Sequence, residues 1–127
     1  MLKAIIVDSS AISRGLLNTV LQDGGYDVAG QAHTGAAASA LAIKHQPQIA
    51  CIAREQVEDG SGIVERLRAE LPKTIVFMVS GTLDAPTNQA AMGRGVHGFI
   101  VKPFKADTVL RTIRNTVVAI VNKHRAG

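Results

Sequence analysis

Three short apolar runs of this chain end in residues whose types decide what chemistry their common edge could support. The runs and their ends are Ala4–Val7 followed by Asp8, Gln48–Ala53 ending in Ala53 itself, and Gly98–Val101 followed by Lys102. In a parallel α/β sheet, ligands and reactive groups collect in the loops beyond the carboxyl ends of the strands. We therefore expect a carboxylate and an ammonium group to share one crevice, with an inert methyl group between them.

These residues must be positioned by strands and helices, and the sequence patterns of the two alternate along the chain. The predicted strands are Ala4–Val7, Tyr26–Ala32, Gln48–Ala53, Thr74–Ser80 and Gly98–Val101. The predicted helices are Ala11–Leu21, Gly35–Lys44, Ile63–Glu70, a segment after Asp84 that frays into 93–95, and a segment from Asp107 to about Lys123, with a polar loop over 54–61. Ser9 or Ser10, Thr34, Asp84 and Asp107 are the expected N-caps, because their side chains can accept hydrogen bonds from orphan amides.

Helical spacing assigns apolar faces to the first and last helices. In the first helix this face consists of Ile12, Leu16, Leu17 and Val20, and in the last helix of Leu110, Ile113, Val117, Ile120 and Val121. Val109 and Val118 widen the second stripe. Packing on the sheet explains most of this stripe, and its extra width leaves a partner or dimer contact open.

Five strands in strict alternation with helices predict a right-handed, doubly wound parallel α/β sheet. The expected strand order is 2-1-3-4-5, with its switch point between strands one and three. Asp8 and Ala53 are then neighbours in the crevice, and Ser80 and Lys102 lie one and two strands further along. The length of 127 residues predicts a single domain over 1–127.

Composition narrows the classes of function. The net charge is +4, but Lys and Arg are spread along the chain and there are only three Phe, one Tyr and no Trp, so we do not expect nucleic-acid binding. Cys51 is the only cysteine, which fits a buried apolar residue in a reducing cytoplasm. No stretch approaches the roughly 20 apolar residues of a membrane span, so no membrane partner is expected. The four histidines lack metal-ligand spacing and are expected at the surface.

Four motifs in a fixed order resemble the receiver domain of two-component response regulators across essentially the whole chain. They are Ile-Ile-Val-Asp8, the third strand that Pro47 begins, Val-Ser80-Gly81, and Gly-Phe99-Ile-Val-Lys102-Pro103-Phe104. Each motif alone is weak. Their order, with 45 positions from Asp8 to Ala53 and 49 from Ala53 to Lys102, is specific for a chain of this length.

The resemblance implies a role for each position of the crevice. In receiver domains an aspartate at the end of strand three accepts a phosphoryl group, and two acids after strand one hold Mg²⁺. By motif position, Ser80 is the hydroxyl and Lys102 the lysine that bind the phosphoryl group, and Phe99 is the switch aromatic. Here the acceptor position holds Ala53 and the second acid position holds Ser9, so the pocket is expected to be vestigial. Only Asp8 remains as a weak metal candidate, and no bound cofactor or catalytic residue is expected.

The resulting hypothesis is a stand-alone, phosphorylation-independent adaptor rather than an enzyme. It would bind a protein partner through the face formed by the helix after Asp84, the strand Gly98–Val101 and the last helix, and this face could also serve a homodimer. One alternative is a conventional receiver with a displaced acceptor, for which Glu55, Glu58 and Asp59 are the candidates in the loop after strand three. Another is a flavodoxin-like ligand-binding protein, although no glycine-rich phosphate loop follows strand one.

Two local features are predicted as well. Lys102 is expected to pair with Asp8, because Ala53 offers no partner and an unpaired buried ammonium group is costly. The Lys102–Pro103 peptide is expected to be cis, as the matching bond typically is in receiver domains.

Overall fold

The alternating elements form one parallel sheet with helices on both faces. The computed structural model describes residues 1–82 and 84–126, except for the side chains of 125 and 126. The strands are β1 (Lys3–Val7), β2 (Asp27–Ala32), β3 (Ile49–Ala53), β4 (Ile75–Ser80) and β5 (Gly98–Val101). The helices are α1 (Ala11–Asp23), α2 (Gly35–His45), α3 (Arg54–Glu58), α4 (Ile63–Glu70), α5 (Ala85–Arg94) and α6 (Ala106–Ala126).

The strand order β2-β1-β3-β4-β5 confirms the predicted topology. Val7 pairs with Ile52, Ala53 with Val79, and Ser80 with Val101. The carboxyl ends of β1, β3, β4 and β5 therefore lie side by side along one edge of the sheet. Asp8 and Lys102 follow directly at the two ends of this row.

Each face of the sheet carries its own apolar core. Alternate strand residues such as Ile5, Ile52 and Met78 pack with residues of α2, α3, α4 and α5 on one face. Their neighbours, including Cys51 and Phe77, pack with residues of α1 and α6 on the other face. All five residues of β3 are buried, because a central strand with helices on both sides meets no solvent.

Three of the predicted N-cap residues cap their helices as expected. The Oγ atom of Ser10 accepts a hydrogen bond from the Ser13 amide at 3.2 Å, which selects Ser10 over Ser9 as the cap of α1. Thr34 and Asp84 accept in the same way from Ala37 and Thr87. The prediction for Asp107 was wrong, since α6 begins at Ala106 and places Asp107 in its first turn.

The predicted apolar face of α1 was only half right. Leu17 is buried, but Ile12 is 78% and Leu16 57% exposed. Leu21, at the predicted end of the helix, is buried although it was not part of the predicted face. A helix buries one stripe, and the sheet contact selected the stripe that contains Leu17 and Leu21 over the one that contains Ile12 and Leu16.

The last helix also differs from its predicted stripe. Val109 and Ile113 are buried, whereas Val118 is 49% and Val121 44% exposed. The helix continues past the predicted end near Lys123 to Ala126. Val117 and Ile120 are partly buried against the same core, so the packed stripe runs on along α6 while Val118 and Val121 lie outside it.

Residues 54–58 form the short helix α3 where a polar loop was expected. Val57 is 1% exposed and anchors this turn in the core, while Arg54 and Glu58 form an ion pair one turn apart. A five-residue helix has no periodicity that a sequence pattern could reveal. Among the described residues, no helix combines the length and hydropathy needed to cross a membrane.

Candidate functional site

Asp8 lies at the carboxyl end of β1 with both carboxylate oxygens engaged. Its Oδ1 atom accepts a hydrogen bond from the Ser10 amide at 2.9 Å, and its Oδ2 atom accepts one from Lys102 Nζ at 3.2 Å. The carbonyl oxygen of Asp8 accepts from the Arg14 guanidinium at 2.6 Å. The side chain is nearly buried, with 6% of its surface exposed. Asp8 is thus both an anchor for the start of α1 and the counter-ion of a lysine.

Lys102 reaches Asp8 from the far end of the row of strands. The backbone amide of Lys102 donates to the Ser80 carbonyl at 2.9 Å, which extends the β4–β5 ladder by one residue. The Lys102–Pro103 peptide is cis. Both the Asp8–Lys102 pair and the cis peptide are therefore confirmed.

The middle of the row holds a methyl group and a hydroxyl. Ala53 ends β3 with 0% exposure, directly beside the position of Asp8. Ser80 is 5% exposed, and its Oγ atom accepts a hydrogen bond from the Thr82 amide at 3.2 Å. Ser80 is therefore a buried hydroxyl with a hydrogen-bond partner in the backbone. Ser9 is exposed next to Asp8, and Phe99 is half-buried against the core shared by α2, α3, α4 and α5.

Arg54 is a residue of this edge that the sequence analysis missed. Its Nε atom lies 3.1 and 3.2 Å from the two carboxylate oxygens of Glu58, and its guanidinium donates to Thr82 Oγ1 at 3.1 Å. Arg54 therefore ties the end of β3 to the segment after β4. The Arg–Glu spacing of four could have indicated the helical ion pair, but the bond to Thr82 joins residues 28 apart in the chain.

A shallow groove of about 350 Å³ lies beside these contacts. It is lined by Arg54, Glu55, Glu58, Ser80, Gly81 and Thr82. Of the three candidate acids, Glu58 is paired with Arg54, and Asp59 Oδ1 accepts a hydrogen bond from the Ser61 amide at 2.8 Å. Hydrogen bonding to Ser61 lowers the pKa of Asp59. Glu55 is exposed at the groove.

The remaining titratable residues singled out in the sequence lie away from this edge. Cys51 is fully buried in the middle of β3, and burial raises the pKa of its thiol to about 12. His97 is half-buried rather than on the surface, and its Nδ1 atom accepts a hydrogen bond from the Val76 amide at 3.0 Å. Burial, assisted by the Arg68 charge, lowers the pKa of His97. Within residues 1–82 and 84–126, no three His, Cys, Asp or Glu side chains form a group that could hold a metal.

The strand order is that of a doubly wound, flavodoxin-like α/β fold. The Asp8–Lys102 pair lies at the carboxyl ends of its strands, where the crevice at the switch point is found in such folds. The chain matches the model of the response regulator receiver domain over residues 4–114. It therefore belongs to that family, whose members act in two-component signalling.

Individual relatives agree with this assignment. The chain is 30% identical over 114 residues to chemotaxis protein CheY of Listeria monocytogenes, which covers 89% of this chain and 96% of that protein. Chemotaxis response regulator CheY4 of Vibrio cholerae has a TM-score of 0.82 at 27% identity, over 91% of this chain and 98% of that one. The chain is also 35% identical over 104 residues to a protein-glutamate methylesterase/protein-glutamine glutaminase of Haloarcula marismortui. This match covers 80% of the chain but spans only 28% of that protein.

Proposed function

We propose that this receiver domain signals as an adaptor that binds a protein partner without being phosphorylated. The observation that carries the proposal is the buried methyl group of Ala53 at the end of β3, where the family places its phosphoacceptor. A methyl group has no nucleophilic atom. Phosphoryl transfer depends on an oxygen nucleophile held in line with the phosphorus, so the crevice lacks the reacting group itself.

The donors around Asp8 do not fit Mg²⁺. This ion prefers octahedral oxygen ligands and is usually held by one or two carboxylates with several waters. The family resemblance places the second metal-binding acid at the position that holds Ser9 here. The remaining carboxylate, Asp8, already accepts from Lys102 and from the Ser10 amide. Lys102 thus takes the place of a metal as the cation that neutralises Asp8.

The output face in this proposal is formed by α5, β5 and α6. Phe99 and Val101 lie on β5 at the edge of the sheet, and Val101 is 38% exposed. A groove of about 420 Å³ runs between this edge and the start of α6. An edge strand with an apolar groove beside it offers a partner both backbone groups and apolar surface. A second copy of the chain is the other occupant that this face could take.

A displaced phosphoacceptor is the competing function. Glu55 supports it most, because its exposed side chain lines the groove that also contains Ser80. Glu58 is tied to Arg54, and Asp59 lies in a turn closed by its own hydrogen bond to Ser61. In-line phosphoryl transfer requires that the attacking oxygen is held close to the phosphorus atom. The exposed side chain of Glu55 is free to rotate in solvent and does not hold that position, so we favour the adaptor function.

Intact mass after incubation with acetyl phosphate and Mg²⁺ tests the proposal. We expect no added phosphoryl group on the natural chain. The matched variant Ser9→Asp/Ala53→Asp restores both carboxylates and is expected to gain the adduct. An adduct on the natural chain would overturn the proposal, and Glu55→Gln, Glu58→Gln and Asp59→Asn would then locate the acceptor.

A further inference from the structure

A cleft of about 370 Å³ lies at the edge of the sheet opposite to the Asp8–Lys102 pair. Two loops form it, 46–48 before β3 and 71–74 before β4, together with Glu70 at the end of α4. The length of β3 places the cleft about 17 Å from the crevice. None of its lining residues belongs to the crevice or to the output face of α5, β5 and α6. The cleft is therefore a separate feature of the molecule.

Hydrogen bonds hold the two loops against each other. The hydroxyl of Thr74, a residue that is 3% exposed, donates to the Pro47 carbonyl at 2.7 Å. The Arg68 guanidinium donates to the carbonyls of Pro72 and Thr74 at 3.0 and 3.1 Å. The walls of the cleft are therefore fixed before a ligand arrives, which reduces the conformational entropy that is lost on binding.

Three side chains give the cleft an apolar lining. Pro47 is buried, Leu71 is half-buried and Pro72 is exposed. The two proline rings lose no rotamer freedom when a ligand packs on them. A ligand that covers these side chains also removes apolar surface from water. The lining therefore favours a ligand with an aliphatic or aromatic body.

Most backbone oxygens of the two loops are already engaged as acceptors. The Leu71 carbonyl accepts a hydrogen bond from the Thr74 amide at 3.0 Å, and the Gln48 carbonyl accepts one from the Ile75 amide at 2.8 Å. The side-chain oxygen of Gln48 accepts from the Lys3 amide at 2.7 Å. A ligand that donates hydrogen bonds would therefore find few free acceptors here.

Lys73 supplies free donors instead. It is exposed, and neither its backbone amide nor its ammonium group has a hydrogen-bond or ion-pair partner among the described residues. Glu70, the one acid of the lining, lies 3.9 Å from Arg66 on its own helix. A free positive charge beside an acid that already has a counter-ion favours an anionic group on the ligand.

We propose that this cleft binds a small carboxylic acid with an aliphatic or aromatic body. The carboxylate accepts hydrogen bonds from the ammonium and amide groups of Lys73, and the body lies against the apolar lining. Apolar walls with a few polar groups that fix orientation are the usual composition of a small-molecule site. The proposal does not depend on the adaptor function, because it concerns the other edge of the sheet.

Two other classes of ligand fit the cleft less well. An amine would be repelled by Lys73 and would have to compete with Arg66 for Glu70. A small inorganic anion would satisfy Lys73 but would leave the apolar walls in contact with water. Only a ligand that has both a negative group and an apolar body uses both parts of the lining.

Titration of the nitrogen-15-labelled full chain tests the proposal, with amide chemical shifts recorded at constant pH and ionic strength. The probes are hexanoate, hexylammonium and acetate. We expect hexanoate to bind with a Kd of about 1 mM. Acetate lacks four methylene groups and should bind at least about tenfold more weakly. Hexylammonium should shift none of the amides that hexanoate shifts, which are expected to be those of Gln46, Gln48, Leu71, Lys73 and Thr74.

Substitutions separate the two parts of the lining. Lys73→Gln should weaken hexanoate binding about fivefold because the charge is lost. Leu71→Ala should also weaken it about fivefold because apolar contact is lost. Lys105→Gln, at an exposed lysine outside the cleft, and Val118→Ala, at a valine that is 49% exposed, are the controls and should leave the Kd unchanged. Thermal melts show whether each variant keeps its fold, and the exposed Lys73 carries the test if Leu71→Ala lowers stability.

Several results would overturn the proposal. Equal Kd values for acetate and hexanoate would mean that Lys73 attracts anions without any use of the apolar walls. Tighter binding of hexylammonium would assign the cleft to cations through Glu70. Hexanoate shifts confined to residues outside the cleft, or no shifts up to about 20 mM, would mean that the cleft binds no such acid. A hexanoate Kd that Lys73→Gln leaves unchanged would reject the carboxylate contact and the proposal with it.

Discussion

Lys102 Nζ lies 3.2 Å from Asp8 Oδ2, across the ends of the two strands that separate β1 from β5. The lysine side chain is 28% exposed and the aspartate side chain only 6%, so the pair is screened by solvent on one side only. With Ala53 between them there is no third charged group in the row, and the two residues neutralise each other. The contact lies at the edge of the sheet where the family resemblance places the phosphoryl group.

Asp8→Ala should lower the free energy of unfolding by about 2 kcal/mol, more than loss of a helix cap alone. The change leaves Lys102 without its counter-ion and the Ser10 amide without its acceptor. Urea unfolding measures the effect, and Asp23→Ala, at an exposed acid of α1, is the control.

A double-mutant cycle isolates the ionic part of this effect. Lys102→Met removes the charge that Asp8→Ala would leave unpaired, so the double variant should be more stable than the two single losses added together. Additive losses would mean that the pair contributes nothing and that Asp8 acts only through Ser10.

His97 should make stability depend on pH. Because its pKa is lowered in the folded protein, the unfolded chain binds more protons between that lowered pKa and 6.5. The contribution of neutral His97 to the free energy of unfolding is therefore complete above pH 6.5, and it is lost as the pH falls through the pKa of the folded state. Protonation at Nδ1 would also break the hydrogen bond from the Val76 amide.

This prediction is tested by measuring the midpoint of urea unfolding at pH values from about 5 to 8. The natural chain should lose stability toward the acidic end, and His97→Gln should flatten the profile over that range. His33→Gln, at an exposed histidine, should leave the profile unchanged. Equal slopes for all three proteins would assign the pH dependence to other groups.

Arg54→Ala should loosen the segment after β4 with little loss of global stability. The side chains of Arg54 and Glu58 are 34% and 43% exposed, so solvent screens the ion pair and we expect a cost of about 0.5 kcal/mol. Hydrogen exchange at the Thr82 amide should accelerate severalfold, since Arg54 holds the Thr82 side chain. Arg66→Ala removes a similar pair with Glu70 on α4 and should leave the Thr82 amide unaffected.

Cys51 should be inert in the folded protein. Its thiol is 0% exposed and its pKa is raised to about 12, so almost no thiolate is present near pH 8. An aromatic disulfide reagent should react only as fast as the chain unfolds, and the rate should rise with urea in step with unfolding. Rapid reaction without denaturant would show that β3 opens locally.

Much of this architecture follows from local patterns in the sequence. Apolar runs of strand length, punctuated by Ser10, Thr34 and Asp84, are enough to place five strands and most helices, because caps and periodicity act over a few residues. Alternation of strand and helix then leaves few parallel topologies, and the observed strand order is the common one. The site residues followed from the same reasoning, since parallel strands bring their carboxyl ends to one edge.

Other features were decided only when the elements packed together. The sequence of α1 contains two apolar stripes, and contact with the sheet chose Leu17 and Leu21 over Ile12 and Leu16. The bonds from Arg54 to Thr82 and from Val76 to His97 join residues more than 20 positions apart, which no local pattern encodes.

The sequence by itself determined the fold, the row from Asp8 through Ala53 and Ser80 to Lys102, and the absence of a carboxylate at Ala53. Tertiary structure decided which side chains of α1 and α6 face solvent, and that Arg54 reaches across the crevice edge. The physical reason is one of range. Hydrogen-bonded caps and side-chain periodicity are set by neighbours in the chain, whereas burial and hydrogen bonds such as that from Arg54 to Thr82 depend on which surfaces meet after the chain has folded.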